Sequence, residues 1–219
     1  TAAPRPAPGL RNAPDTDPSL AANRAWARGI LDRARTSTLG VAQVAAATVA
    51  DEAELSIVLD TAVAAATGWA GRGARARAAV LHRAGDVLEH HRGELLEVMA
   101  AEAAKTLDQG DPEVSEAVDF AHYYAARAAQ TEHLDGAVYE PRRVTLVVPP
   151  WNFPLSIPAG GTLAALASGS AVVLKPSRRT ARTGALLAHA LWEAGVPRDV
   201  LQLVVLDGPG LGDALVGDP

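Results

Sequence analysis

Three apolar runs, "RVTLVV" from Arg143, "SAVVLK" from Ser170 and "VLQLVVL" from Val200, alternate with two helix-patterned stretches, "GGTLAALASG" and "TGALLAHALWEAG". No other feature constrains the fold as strongly. Each run is too short for a helix and too uniformly apolar for a strand with one wet face. Such strands lie parallel, covered on both faces by the helices that connect them through right-handed crossovers. The order βαβαβ therefore predicts an α/β fold, with about half of a doubly wound sheet in residues 137–219. No internal repeat is visible.

The first 136 residues read differently. Asp17 and Pro18 form a helix-start signal, and Leu20, Trp26, Ile30 and Leu31 recur at helical spacing, predicting a helix over 18–35. After a Thr/Ser/Gly break at 36–40, "EAELSIVLDTAVAAATGW" reads as one amphipathic helix. "RARAAVLHRAGDVLEHHRGELLEVMAAEAAKT" reads as another, with Gly68 to Gly73 as the loop between them. A second Asp-Pro start at Asp111 and Pro112 opens a helix carrying Phe120, Tyr123 and Tyr124. The organisation expected is a Pro-rich linker over 1–17, a helical part over 18–136 and a partial dinucleotide-binding domain over 137–219. The linker lacks an initiator Met and an apolar signal core, and "LVGDP" stops just after a helical pattern, so both ends read as cuts from a longer chain.

Composition narrows the partners. With 20 basic and 25 acidic side chains, a net charge of −5 and no block of like charge, the chain has no nucleic-acid footprint. No run reaches the roughly 18 apolar residues of a membrane span. The absence of cysteine excludes disulfides, thiolate metal sites and a cysteine nucleophile within these residues. His90 and His91 diverge on a helix and none of the six histidines forms an i,i+4 pair, so no metal site is expected. Ser156 lacks the G-x-S-x-G elbow, which argues against a serine hydrolase.

In doubly wound sheets ligands sit beyond the carboxyl ends of the strands. Pro149 to Pro154, "PPWNFP", follows the first strand and Lys175 ends the second, so both face that edge. One of the four tryptophans and one of the two phenylalanines flank Asn152 there. "GPGLGD" from Gly208 has the setting of a dinucleotide loop, but Asp213 stands where G-x-G-x-x-G needs its third glycine, so it is either a cofactor loop or a plain turn. Glu116, Phe120, Tyr123 and Tyr124 share roughly one helix face, which reads either as core or as the wall of a substrate channel.

"PPWNFPLSIPAGGTLAALASGSAVVLKPS" resembles the first cofactor-domain segment of the aldehyde dehydrogenase superfamily, with its Pro-Trp-Asn-Phe-Pro and Lys-Pro-Ser signatures. "NAPDTDPSLAANRAWA", "DPEVSEAVDFAHYYA" and "LWEAGVPRDVLQLV" resemble the glutamate-γ-semialdehyde (pyrroline-5-carboxylate) dehydrogenase half of bifunctional proline-catabolic proteins of the actinobacterial type. The resemblance covers nearly the whole chain. It implies a Rossmann-like cofactor domain behind an N-terminal helical segment, and NAD-dependent oxidation of a small aldehyde to glutamate through a cysteine nucleophile. By the same resemblance Asn152 donates its side-chain amide to the oxyanion. An amide suits that task as a neutral donor aimed at developing charge, held by prolines on either side.

Lys175 is implied to bond the adenosine ribose hydroxyls, with Pro150, Trp151 and Ser177 lining the dinucleotide, Gly208 approaching its adenine side, and Glu116 and Phe120 beside the substrate entrance. Many NAD-linked members carry a carboxylate three residues after the lysine, where this chain has Arg178 followed by Arg179. Such an arginine either favours a 2′-phosphate, hence NADP, or points to solvent. The resemblance places the catalytic cysteine and the general-base glutamate beyond Pro219, so the 219 residues alone are expected to be inactive. It further implies a cytoplasmic setting and a homo-oligomer in the full-length protein. The alternatives are a non-catalytic nucleotide-binding or oligomerisation module of the same fold, and an aldehyde dehydrogenase for another substrate.

Overall fold

The computed structural model describes residues 10–131, 136 and 138–218. Residues 1–9 of the expected linker, the last residues of the aromatic helix, the boundary at 137 and the terminal Pro219 lie outside them.

Six helices come first. Helix α1 spans Ala21–Ala34, later than the Asp-Pro signal, because the Asp17 carboxylate accepts from Ser19 N at 2.8 Å and closes a local turn. A short α2, Val41–Ala46, leads to a two-residue strand β1, Thr48–Val49, which the sequence pattern does not announce. Helix α3, Glu52–Ala70, starts where Asp51 accepts from Glu54 N at 2.9 Å, and it runs through Gly68 rather than ending there.

The single long helix expected from Arg75 to Thr106 is two, α4 over Ala74–His90 and α5 over Arg92–Ala103. The break falls at His91, whose ring nitrogens lie 3.0 Å from Glu94 and 2.9 Å from Glu193. The next residue, Arg92, is buried and donates to Glu89, to Asp111 at 2.7 Å and to Ser115 at 3.1 Å. Burial works against its charge, but the bonds to Glu89 and Asp111 outweigh it and raise its pKa further. Asp111, expected as a cap, is spent on this cluster and on Thr16 N, so the described part of the expected linker is fastened to the helices.

Helix α6, Leu107–Thr131, begins one turn before Asp111 and Pro112 and carries the proline inside it. As the sixth helical residue Pro112 gives up the bond to Asp108 O and crowds that carbonyl, while the first turn is closed by bonds from Gln109 and Gly110 to Thr106 O.

Strands β2, Val144–Val147, β3, Ala171–Leu174, and β4, Leu201–Leu203, pair in parallel in the order β2-β3-β4. All four residues of β3 are buried, as the continuous apolar run requires. Helix α3 packs across the three strands, while α7, Ser156–Ser168, packs on β2 and β3 and α8, Ala181–Glu193, on β4, with α4 to α6 behind them. Gly169 ends α7 at φ 98°, a left-handed position that favours glycine.

The third run splits. Leu201–Leu203 bonds β3, whereas β5, Val205–Leu206, pairs in parallel with β1. The end of this run is thus paired by two residues from the helical part. Helix α9, Leu211–Gly217, closes the described chain.

Candidate active site

The register pairs Val147 with Leu174, so the chain leaves β2 and β3 side by side at their carboxyl ends. Lys175 N donates to Val147 O at 2.9 Å, tying the start of the second loop to the end of the first strand. From there the first loop runs through Pro149, Pro150, Trp151, Asn152, Phe153 and Pro154 into α7. The second runs through Lys175, Pro176 and Ser177 into a 3-10 turn, Arg178–Thr180, and then α8.

Trp151 and Phe153 stay 49% and 44% exposed, which is costly for two large rings unless something lies over them. Each has a cation on its face. The Arg179 guanidinium sits 5.5 Å from the Trp151 ring centre and the Lys105 ammonium 4.5 Å from that of Phe153. The first contact joins the two loops, and the second joins the first loop to the segment between α5 and α6.

The Lys105 ammonium also donates to Asn152 O at 2.8 Å and is ion-paired with Glu113, which is 3% exposed. The second Glu113 oxygen accepts from Leu155 N at 3.0 Å and Ser156 N at 3.1 Å. Helix α7 has no acidic residue in its own first turn and no side-chain cap. A carboxylate from α6 therefore satisfies its leading N–H groups and complements its positive end.

The same device serves α8, whose N-cap Thr180 makes no capping bond. Glu102 on α5 accepts there from Arg182 N at 2.8 Å and from the backbone and hydroxyl of Thr183, each at 2.9 Å.

The site residues expected from the sequence fall into two groups. Pro150, Trp151, Asn152, Lys175, Ser177 and Arg178 gather at the carboxyl edge. Among the described residues neither the Asn152 amide nor the Lys175 ammonium has a hydrogen-bond partner, and no bond joins them; Asn152 is exposed and Lys175 half-buried. Ser177 Oγ accepts from Arg179 N at 3.4 Å. Arg178 is paired with Asp207 at 3.0 Å, both largely exposed. Gly208 is explained by packing: a Cβ there would meet Ala50 O and Leu211, each at 2.9 Å.

Glu116 and Phe120 lie on α6 beyond Glu113. Glu116 is exposed, while Phe120 is half-buried against Gly160 of α7 and stacks on Tyr124 at 5.9 Å. A Cβ on Gly160 would come within 3.1 Å of the Phe120 ring, so glycine permits this approach of α6 to α7. The histidines include one pair that sequence spacing does not reveal, His82 and His122, with Nδ1 atoms 2.9 Å apart between α4 and α6.

Lys105, Glu113 and Glu102 are the site residues that sequence reasoning misses. One signal was available for Glu113: it stands in the apolar stripe of α6 beside Gly110, Val114 and Ala117, where an unpartnered carboxylate would be costly.

The aldehyde dehydrogenase family model matches residues 35–219. The bifunctional protein PutA of Klebsiella aerogenes is 38% identical over 169 residues, 77% of this chain and 13% of that protein. The 1-pyrroline-5-carboxylate dehydrogenase 2 of Bacillus subtilis is 36% identical over 161 residues, 69% of this chain and 31% of that protein. The chain thus spans only a minor part of the relatives it matches.

Among solved structures, PutA of Corynebacterium freiburgense aligns with TM-score 0.78 and 34% identity over 95% of this chain and 20% of that one. A Thermus 1-pyrroline-5-carboxylate dehydrogenase with bound NAD aligns with TM-score 0.84 and 23% identity, over 98% and 49%. At that identity the second likeness concerns the fold alone.

Proposed function

The chain belongs to the aldehyde dehydrogenase family, and from that premise we propose that it is the oxyanion-donor and ribose-binding part of an NAD-dependent L-glutamate γ-semialdehyde dehydrogenase in proline catabolism. In this reading residues 137–219 are the first half of the dinucleotide-binding unit, and residues 18–136 are the helical part that braces it. The observation that carries the reading is the loop Pro149–Pro154. It is fastened at the carboxyl edge of a parallel sheet, with the Asn152 amide unpartnered at its tip among the described residues.

Asn152 is assigned the oxyanion. Its N–H is a neutral donor on a loop held before substrate arrives, so no reorganisation is needed as negative charge develops. Lys175, with three donors on a half-buried stem at the end of β3, is assigned the ribose hydroxyls. Pro150, Trp151 and Ser177 line the dinucleotide in the same assignment. Gly208 belongs to the turn on its adenine side.

The residues fit a dinucleotide: two donors unpartnered among the described residues and an aromatic face stand on one sheet edge. Bound there, the cofactor supplies the hydride acceptor. Asp207, beside Arg178, adds a carboxylate whose charge opposes a 2′-phosphate, which supports NAD over NADP in this reading. Glu116 and Phe120 are assigned to the substrate approach along α6. No cysteine occurs among the 219 residues, so the nucleophile is assigned to no residue of this chain.

The test is steady-state kinetics of the full-length gene product with glutamate semialdehyde and either NAD or NADP. NAD-dependent oxidation is expected, and Asn152→Ala should lower kcat by about 10²–10³-fold, the loss typical of one oxyanion donor. An enzyme that ignores this aldehyde, or whose kcat survives Asn152→Ala, overturns the reading.

A further inference from the structure

The Lys105 and Glu113 ion pair is largely buried at the carboxyl edge, with side chains 10% and 3% exposed, and the proposed chemistry does not use it. A buried ion pair is poor evidence for stability, since apolar residues of similar volume often do as well. What distinguishes this pair is where its remaining polar capacity goes. Lys105 donates to Asn152 O, while Glu113 accepts from Leu155 N and Ser156 N. The ammonium also lies over the Phe153 ring. Contacts from one pair thus reach residues 152, 153, 155 and 156, with Pro154 restricting the backbone between them.

The local backbone points to the same role. Ala104, the C-cap of α5, has φ 52°, and Lys105 N returns to Met99 O at 3.3 Å, so the helix ends in a left-handed cap that turns the chain toward Lys105. Ala104 is the only non-glycine residue with positive φ among the described residues. The residue it delivers into the loop is Lys105.

We propose that Lys105 and Glu113 are positioning residues for Asn152, fixing the peptide from which its amide projects; this rests on the reading of Asn152 as the oxyanion donor. The Asn152 carbonyl and the two N–H groups after Pro154 are pinned, so the side chain departs from a backbone with little freedom. That matters because a displacement of about 1 Å at a reacting centre can cost about 10²-fold in rate.

The experiment uses the full-length gene product with Lys105→Met, Glu113→Gln and Asn152→Ala, singly and in pairs. It reads kcat, KM for the dinucleotide, and amide hydrogen exchange over residues 152–156. Either clamp variant is expected to lower kcat by about 10- to 100-fold, leave the dinucleotide KM within about twofold, and speed exchange over 152–156. Adding Asn152→Ala to a clamp variant should cost clearly less than it costs the parent enzyme, because the donor is already misplaced. Lys105→Arg, which keeps a cation over Asn152 O and beside Glu113, should restore part of the rate; it also serves if Lys105→Met does not fold. Full additivity with Asn152→Ala, or unchanged exchange over 152–156, overturns the proposal. If the parent enzyme oxidises no aldehyde, the functional reading falls, and the exchange comparison still decides whether the pair holds the loop.

Discussion

The loops that follow β2 and β3 leave the same sheet edge and end in helices whose first N–H groups are both satisfied by a carboxylate from the helical part. Their charges are managed in opposite ways. At the first loop Glu113 is buried and neutralised by Lys105, and both members bond the loop backbone. At the second, Glu102 is half-buried and bonds α8 without a cation of its own among the described residues, while the loop's arginines face outward. Arg178 pairs with Asp207 at the surface, and Arg179 rests on Trp151. The lesson is about rigidity: buried, fully used charges fix a backbone, whereas exposed pairs are screened and leave side chains free to answer a ligand. The first arrangement suits a side chain that must be held in one place, and the second suits a surface whose side chains stay adaptable.

Breaking the buried pair gives the largest expected effect. Lys105→Met leaves Glu113 uncompensated and should destabilise the full-length protein by about 3–5 kcal/mol in urea unfolding, whereas Arg178→Met at the exposed pair should cost under about 1 kcal/mol. Equal losses at the two loops would end the contrast. Glu102→Gln keeps the shape but removes the charge at the α8 N-terminus; a loss of about 1 kcal/mol is expected, between those two values. Ala104→Gly should raise stability by up to about 1 kcal/mol by relieving the left-handed alanine. A loss there would mean that Ala104 is not strained.

The smallest effect concerns His91, which ties the α4–α5 break to the far end of α8. Burial disfavours its charge, yet bonds and charges from Glu193, with those from Glu94, outweigh this and raise its pKa above the ordinary 6.5. A raised folded-state value means that the contribution is complete below pH 6.5 and fades as pH rises through the folded value. Urea midpoints should therefore fall slightly between pH 6 and 8, and His91→Gln should flatten that slope.

Much of this molecule was legible in advance because its signals are local. The β-branched runs give β2, β3 and the last run, though not its division into β4 and β5, and the proline-boxed Asn152 sits on the expected edge with Lys175. The helix break at His91 and the start of α6 before Pro112 were not legible, since both depend on what Arg92 and Asp111 reach across space. Strand β1 escaped for the same reason. Two residues carry no period, and only their pairing with Val205–Leu206 makes them a strand.

The sequence by itself determined the parallel α/β sheet, the edge at which Asn152 and Lys175 lie and the loop that carries the amide. Alternation, chain direction and loop chemistry are written in neighbouring residues. Only the tertiary structure decided that this loop is held by Lys105 and Glu113 and that both helix ends borrow their carboxylates from α5 and α6. Those bonds join residues 42 to 81 positions apart, and no local pattern encodes which buried charge will meet which backbone end.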